Sequence, residues 1–87
     1  MMEKTLEITT EVGLHARPAA ALVKESNKYK SEIILVYNGK TANCKSIISI
    51  MSLQAKQGES VTFQITGEDE KEAIEGIVSL FNSNFNQ

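Results

Sequence analysis

A two-layer α+β fold is predicted, a sheet with three helices on its one buried face. Two local periods alternate along the chain. Apolar residues recur at every second position in residues 3–10 and 61–66, as half-buried strands require, and residues 33–37 form a continuous strand-like apolar run. They recur at helical spacing from Ala16 to about Lys28, across 46–53, and again after Asp69. The order that results is β-α-β-β-α-β-α. Each alternating strand has one apolar face, and helices gathered on that face bury it. Periodicity does not fix the strand order.

The first strand sets Leu6 and Ile8 against Thr5, Glu7 and Thr9. Residues 11–14 are a loop. The first helix then presents Ala19, Leu22, Val23 and Ser26 as a narrow stripe, and the small residues 19–21 permit close packing on a sheet. Residues 32–37 are the most strand-like run, with Ile33, Leu35 and Tyr37 on one face and Ile34 and Val36 on the other. Asn38-Gly39 is a strong hairpin signal, so residues 40–44 return as a polar strand near a sheet edge. Residues 46–53 are rich in β-branched side chains but start with a serine. The set Ile47, Ile50 and Met51 favours a short amphipathic helix. Residues 57–59 turn the chain into the strand of Val61, Phe63 and Ile65. Asp69 and Glu72 have the spacing of a capping box, which opens a helix with Ile74, Ile77, Val78 and Phe81 on one face. That helix fades near Asn82, and Phe85 docks beyond it.

Composition narrows the function. The 87 residues suit one domain, 1–87, with a compact core. A net charge of −2 disfavours a nucleic-acid or membrane-surface binder, both of which need a basic excess. The single Cys44 excludes an internal disulfide and reads as a half-buried packing residue. No apolar run is long enough to span a bilayer, and residues 1–4 lack the apolar core of a signal peptide. A cytoplasmic location is the expectation. The sequence contains no metal-ligand constellation and no Gly-rich nucleotide loop, so no cofactor is expected.

The stretch 13–18, Gly-Leu-His-Ala-Arg-Pro, holds the sole histidine, the sole arginine and the sole proline. Gly13 loosens the backbone, and Pro18 suits the first turn of a helix. His15 therefore stands where a loop becomes a helix. Free N–H groups and the positive dipole end favour an anion there. Arg17 adds a planar cation suited to phosphate oxygens. On these local features alone, a solvated histidine capping a helix beside an exposed arginine is the simpler reading.

Residues 13–19, Lys45-Ser46-Ile47, Met51-Ser52-Leu53 and Tyr37-Asn38-Gly39-Lys40 together resemble HPr, the histidine-containing phosphocarrier family of the bacterial phosphoenolpyruvate-dependent sugar phosphotransferase system. The resemblance covers almost the whole chain. It implies an open-faced sandwich, with a four-stranded antiparallel sheet and three helices on one side. It implies a stoichiometric carrier rather than an enzyme. Enzyme I would phosphorylate His15 at Nδ1, and a sugar-specific IIA domain would receive the group. Arg17 would share the catalytic site, with Ala16 and Pro18 in the phosphate shell. Ser46 matches the family's regulatory serine, the target of HPr kinase/phosphorylase, whose phosphorylated form can partner a catabolite-control repressor. Ile47, Ile48, Met51 and Leu53 match the apolar docking patch. Half of these must be core, and Ile47 and Met51 share a helical face suited to docking. Val12 departs from the small polar residue frequent beside the histidine, and Ser49 and Gln54 stand where glycine is common. A mainly regulatory paralogue and a non-catalytic protein-binding α+β module are the alternatives. A small hydrolase lacks a base–nucleophile–orienter set beside His15.

Overall fold

Alternation along the strands dictates one dry and one wet sheet face, and the computed structural model, which describes residues 1–86, shows how they are arranged. The strands are β1 (Met2–Glu7), β2 (Glu32–Tyr37), β3 (Lys40–Asn43) and β4 (Ser60–Thr66). The helices are α1 (Ala16–Ser26), α2 (Ile47–Met51) and α3 (Glu70–Asn82), followed by a 3-10 turn at Asn84–Asn86. The element order is the expected one. All pairings are antiparallel, and the spatial order is β1-β4-β2-β3. β3 lies at an edge, as its polar sequence suggests.

Register puts Leu35 opposite Phe63 on one side and Ala42 on the other. Ile33 faces Ile65. All five side chains are buried, and with Val61 they form the sheet's half of the core. Leu22 of α1, Ile50 of α2 and Ala73, Ile77, Leu80 and Phe81 of α3 supply the other half. Phe81 meets Phe63 edge to face, with centroids 5.5 Å apart. Phe85 docks as expected: it is buried, and its ring lies 4.6 Å from that of Phe81.

Several boundaries differ from the sequence expectation. β1 ends at Glu7, because the Ile8 N–H pairs with the Glu59 carbonyl (2.8 Å) and the chain then turns away from the sheet. α1 stops at Ser26, where Lys28 and Tyr29 donate to Glu25 and Ser26 in tight three-residue turns. α2 closes after Met51 through similar short bonds, and Gln54 at φ +57 ends the segment. Glycine adopts that left-handed conformation most readily, so Gln54 holds it at some cost in strain. Cys44 is fully rather than half buried, and burial pushes its thiol up to about 12.

The capping box at Asp69 does not form. Asp69 is the N-cap of α3 but makes no side-chain cap bond. Its carboxylate instead accepts from the N–H groups of Lys30 (2.8 Å) and Ser31 (2.9 Å) and from the Ser31 hydroxyl. These bonds hold its carboxyl below the usual carboxylate range, the Ser31 hydroxyl contributing most. Tertiary partners have outcompeted the local cap.

Candidate functional site

His15 is the N-cap residue of α1, in extended backbone conformation and exposed to solvent. Its side chain makes no cap bond. The first intrahelical bond runs from the Ala19 N–H to the His15 carbonyl (2.9 Å). Ala16 and Arg17 therefore hold the N–H groups that the helix leaves unpaired, and Pro18, the third helical residue, has none. No acidic residue occupies the first turn. The positive end of α1 thus opens to solvent directly beside the imidazole.

The loop carrying His15 is held rather than loose. The Thr10 hydroxyl donates to the Gly13 carbonyl (2.8 Å), and the Gly13 N–H to the Thr10 carbonyl (3.1 Å). Leu14, buried, donates its N–H to the Ala55 carbonyl (3.0 Å). Gly13 has φ +64, and a Cβ there would strike that same carbonyl. Glycine is required on both counts. The Gln57 side chain donates to the Thr9 carbonyl (3.2 Å), and Gly58 to that of Ile8 (2.8 Å). Residues 8–14 and 55–59 are thus tied into one platform under His15.

A cleft of about 420 Å³ opens at this platform, lined by Val12, Leu14, His15, Met51, Gln54, Ala55 and Lys56. Lys56 donates its N–H to Glu59 (2.7 Å). The Tyr37 hydroxyl, followed by that N–H, holds the Glu59 carboxyl below its ordinary range. Arg17 is exposed and forms no ion pair among the described residues. Val12 is 59% exposed, a bare aliphatic wall with no donor to offer an anion.

The remaining expected site residues divide. Ala16 is exposed at the helix start, where its N–H can reach a phosphate shell. Pro18 is buried and has no N–H, so it shapes the helix start and offers no hydrogen bond to an anion. Ser46 caps α2, accepting from the Ser49 N–H (3.3 Å). Ile48 is 82% exposed and Ile47 41%, while Met51 is half-buried and reaches the His15 cleft. Leu53 is 2% exposed and packs in the core, so it leaves the docking patch. The better-exposed apolar pair is Ile47 with Ile48, rather than Ile47 with Met51, because α2 is short and Ile50 takes the inward position.

Sequence reading treats residues 57–59 only as a turn, notes Gln54 only as a departure from glycine, and finds no signal in 55–56. The approach of that segment to His15 requires two loops to meet, and no local periodicity reports such a meeting. Among the described residues, no group of three or more His, Cys, Asp or Glu side chains is arranged to hold a metal ion, and no helix is long and apolar enough to cross a membrane. What the His15 end offers is an exposed imidazole, unpaired N–H donors and the exposed Arg17 guanidinium, groups suited to accepting and holding a phosphoryl group.

A family model described as the PTS HPr component phosphorylation site matches residues 2–83. The phosphocarrier protein HPr of Buchnera aphidicola subsp. Acyrthosiphon pisum is 49% identical over 75 residues, covering 86% of this chain and 88% of that protein. The HPr-like protein Crh of Halalkalibacterium halodurans is 43% identical over 80 residues, covering 92% and 95%. Among solved structures, HPr from Thermoanaerobacter tengcongensis superposes with a TM-score of 0.96 at 45% identity, over 100% of this chain and 98% of that one. With the four-stranded antiparallel sheet and the three helices in agreement, the chain belongs to the HPr family of phosphotransferase-system phosphocarriers.

Proposed function

We propose that this chain accepts a phosphoryl group on Nδ1 of His15 from phospho-enzyme I and passes it to the IIA domain of a sugar permease. The observation that carries this reading is the exposed imidazole at the uncapped, acid-free N-terminus of α1. In the accepting step the Nδ1 lone pair forms a bond to phosphorus as the donor's bond to phosphorus breaks, and that electron pair stays with the donor. The ring's other nitrogen keeps its own proton through the transfer. Charge builds on the phosphoryl oxygens, where the N–H groups of Ala16 and Arg17 and the Arg17 guanidinium oppose it. Those groups stabilise the carried anion without forming a covalent bond to it, so onward transfer stays open. The protein acts as a stoichiometric carrier.

Partner docking falls to the exposed Ile47 and Ile48, with Met51 at the cleft rim. Ser46 borders that patch. Phosphorylation there adds about −1.5 to −2 charges. The N-terminus of α2 tolerates an anion, so the helix persists while acidic partners are repelled. This supports a regulatory role for Ser46, served by an HPr kinase/phosphorylase and read by a catabolite-control repressor. A mainly regulatory carrier is the second reading. The 43% identity to an HPr-like Crh favours it, and the open His15 site weighs against it.

Incubation with phosphoenolpyruvate and purified enzyme I, followed by intact mass, tests the carrier reading. One acid-labile, base-stable phosphate is expected on the wild type and none on His15→Ala. Retention of that phosphate by His15→Ala would defeat the assignment.

A further inference from the structure

The cleft beside His15 holds a cation that the phosphate shell described so far does not use. Lys56 lines it together with His15, Gln54, Met51 and Val12. It comes from the far wall, on the segment whose Ala55 carbonyl accepts the Leu14 N–H at 3.0 Å. The backbone of Lys56 is fixed by its own N–H bond to Glu59 (2.7 Å). Its ammonium enters no ion pair among the described residues. Glu59, the acid of its own loop, is engaged by the Tyr37 hydroxyl and the Lys56 N–H, and it attracts the Lys56 ammonium only through space, beyond ion-pair distance. Val12, Leu14, Met51 and Ala55 present aliphatic surface around the opening. Such walls displace water and strengthen attraction between a cation and an anion held there.

The geometry points to Lys56 as a second cation for the phosphoryl group on His15, closing from the 54–59 loop the anion shell that α1 opens from the other side. The inference rests on the phosphocarrier reading above. A lysine suits the task because its ammonium is a mobile point charge on a flexible stem. It can follow the phosphoryl oxygens while the donor's bond to phosphorus breaks and the bond to Nδ1 forms. Lys56 neither gains nor loses a proton in that step, and its contribution is electrostatic. The Val12 side chain supplies no donor to the cleft, so the cation takes the place of a side-chain hydrogen bond.

The test compares wild type, Lys56→Gln, Lys56→Arg and Lys24→Gln. Lys24 is exposed in the last turn of α1 and outside the cleft, so its variant matches the charge change. Phosphorylation of His15 from phosphoenolpyruvate through enzyme I is followed by intact mass, with carrier concentration varied, at low and high salt. Lys56→Gln should lower the maximal rate about two- to fivefold at low salt, the range for an exposed ion pair. The loss should shrink as salt screens it. Lys56→Arg should recover most of the rate, and Lys24→Gln should match wild type. Thermal midpoints should not change. An undiminished rate in Lys56→Gln, an equal loss in Lys24→Gln, a loss confined to KM, or a fall in the thermal midpoint would each overturn the role. A wild type that takes no phosphate on His15 would instead remove the carrier reading, and the inference with it.

Discussion

The starts of α1 and α3 solve the same electrostatic problem in opposite ways. Each helix presents a positive end with unpaired N–H groups. At α3 the problem is settled within the chain. Glu70 and Glu72 occupy the first turn, and the Asp69 carboxylate is spent on Lys30 and Ser31 of the neighbouring loop. At α1 the first turn has no acid, the His15 side chain caps nothing, and Arg17 adds charge of the same sign as the dipole end. One end contributes to the fold. The other is left for an anion that the chain itself does not provide. The proposed phosphoryl site falls where the fold leaves its electrostatics unbalanced, and the α3 start shows that the fold has the means to balance them.

That contrast can be broken most severely at Gly13. Gly13→Ala forces a left-handed φ on a residue with a Cβ and drives that Cβ into the Ala55 carbonyl. A stability loss of about 1–3 kcal/mol is expected from the backbone strain alone. Because His15 rides on this loop, phosphate acceptance should fall as well. Urea denaturation and intact-mass phosphorylation measure the two effects, and an unchanged value in both would mean that the 8–14 and 55–59 loops are not coupled.

Arg17→Ala should slow transfer by about three- to tenfold, reflecting one charge-assisted contact at an exposed site. Arg17→Lys should recover part of it, since a point charge lacks the guanidinium fork. The stability should not move. Stopped-flow transfer from enzyme I reads this directly, and a wild-type rate in Arg17→Ala would remove the residue from the site.

Ala16→Glu would give α1 the acid that α3 already has. The helix should gain about 0.3–1 kcal/mol from the dipole interaction, while the carboxylate competes for the place of the phosphoryl group and slows transfer. Opposite signs in a denaturation curve and a transfer assay are the expected signature. A faster transfer would refute the anion-site account of α1.

The smallest effect on transfer, none, is expected from Asp69→Asn. Its effect belongs to acid stability. The Asp69 carboxyl is held below its unfolded value, near 3.8, chiefly by the Ser31 hydroxyl. Its charged form is therefore favoured by folding. The stability it contributes is present above the unfolded value and is lost as pH falls through the lower folded value. Asp69→Asn should remove this part of the acid limb, which thermal midpoints between pH 6 and pH 2 would reveal. An acid limb identical to wild type would show that the Asp69 bonds do not matter to stability.

The sequence by itself determined what local spacing can encode. β2 ran from Glu32 to Tyr37 as its β-branched and aromatic run favoured, and Asn38-Gly39 made the expected hairpin. α1 began directly after His15, because Pro18 in its first turn and the small residues behind it favour a helix there. Residues 46–53 showed both tendencies, and Ser46 as a cap resolved them toward a helix. Such features depend on neighbours within a few positions in the chain, and the chain prints those neighbours. Only the tertiary structure decided the order β1-β4-β2-β3, since an alternating strand can pair with any other. It alone sent the Asp69 carboxylate to residues 30 and 31 instead of its own helix. It placed Leu53 in the core and left Ile48 outside, because the phase of a five-residue helix is set by what it packs against. It also brought Lys56 to the cleft of His15, across a separation in sequence that no periodicity spans. Local structure follows from short-range sterics and hydrogen bonds, while the environment of the site follows from which distant backbone groups find one another.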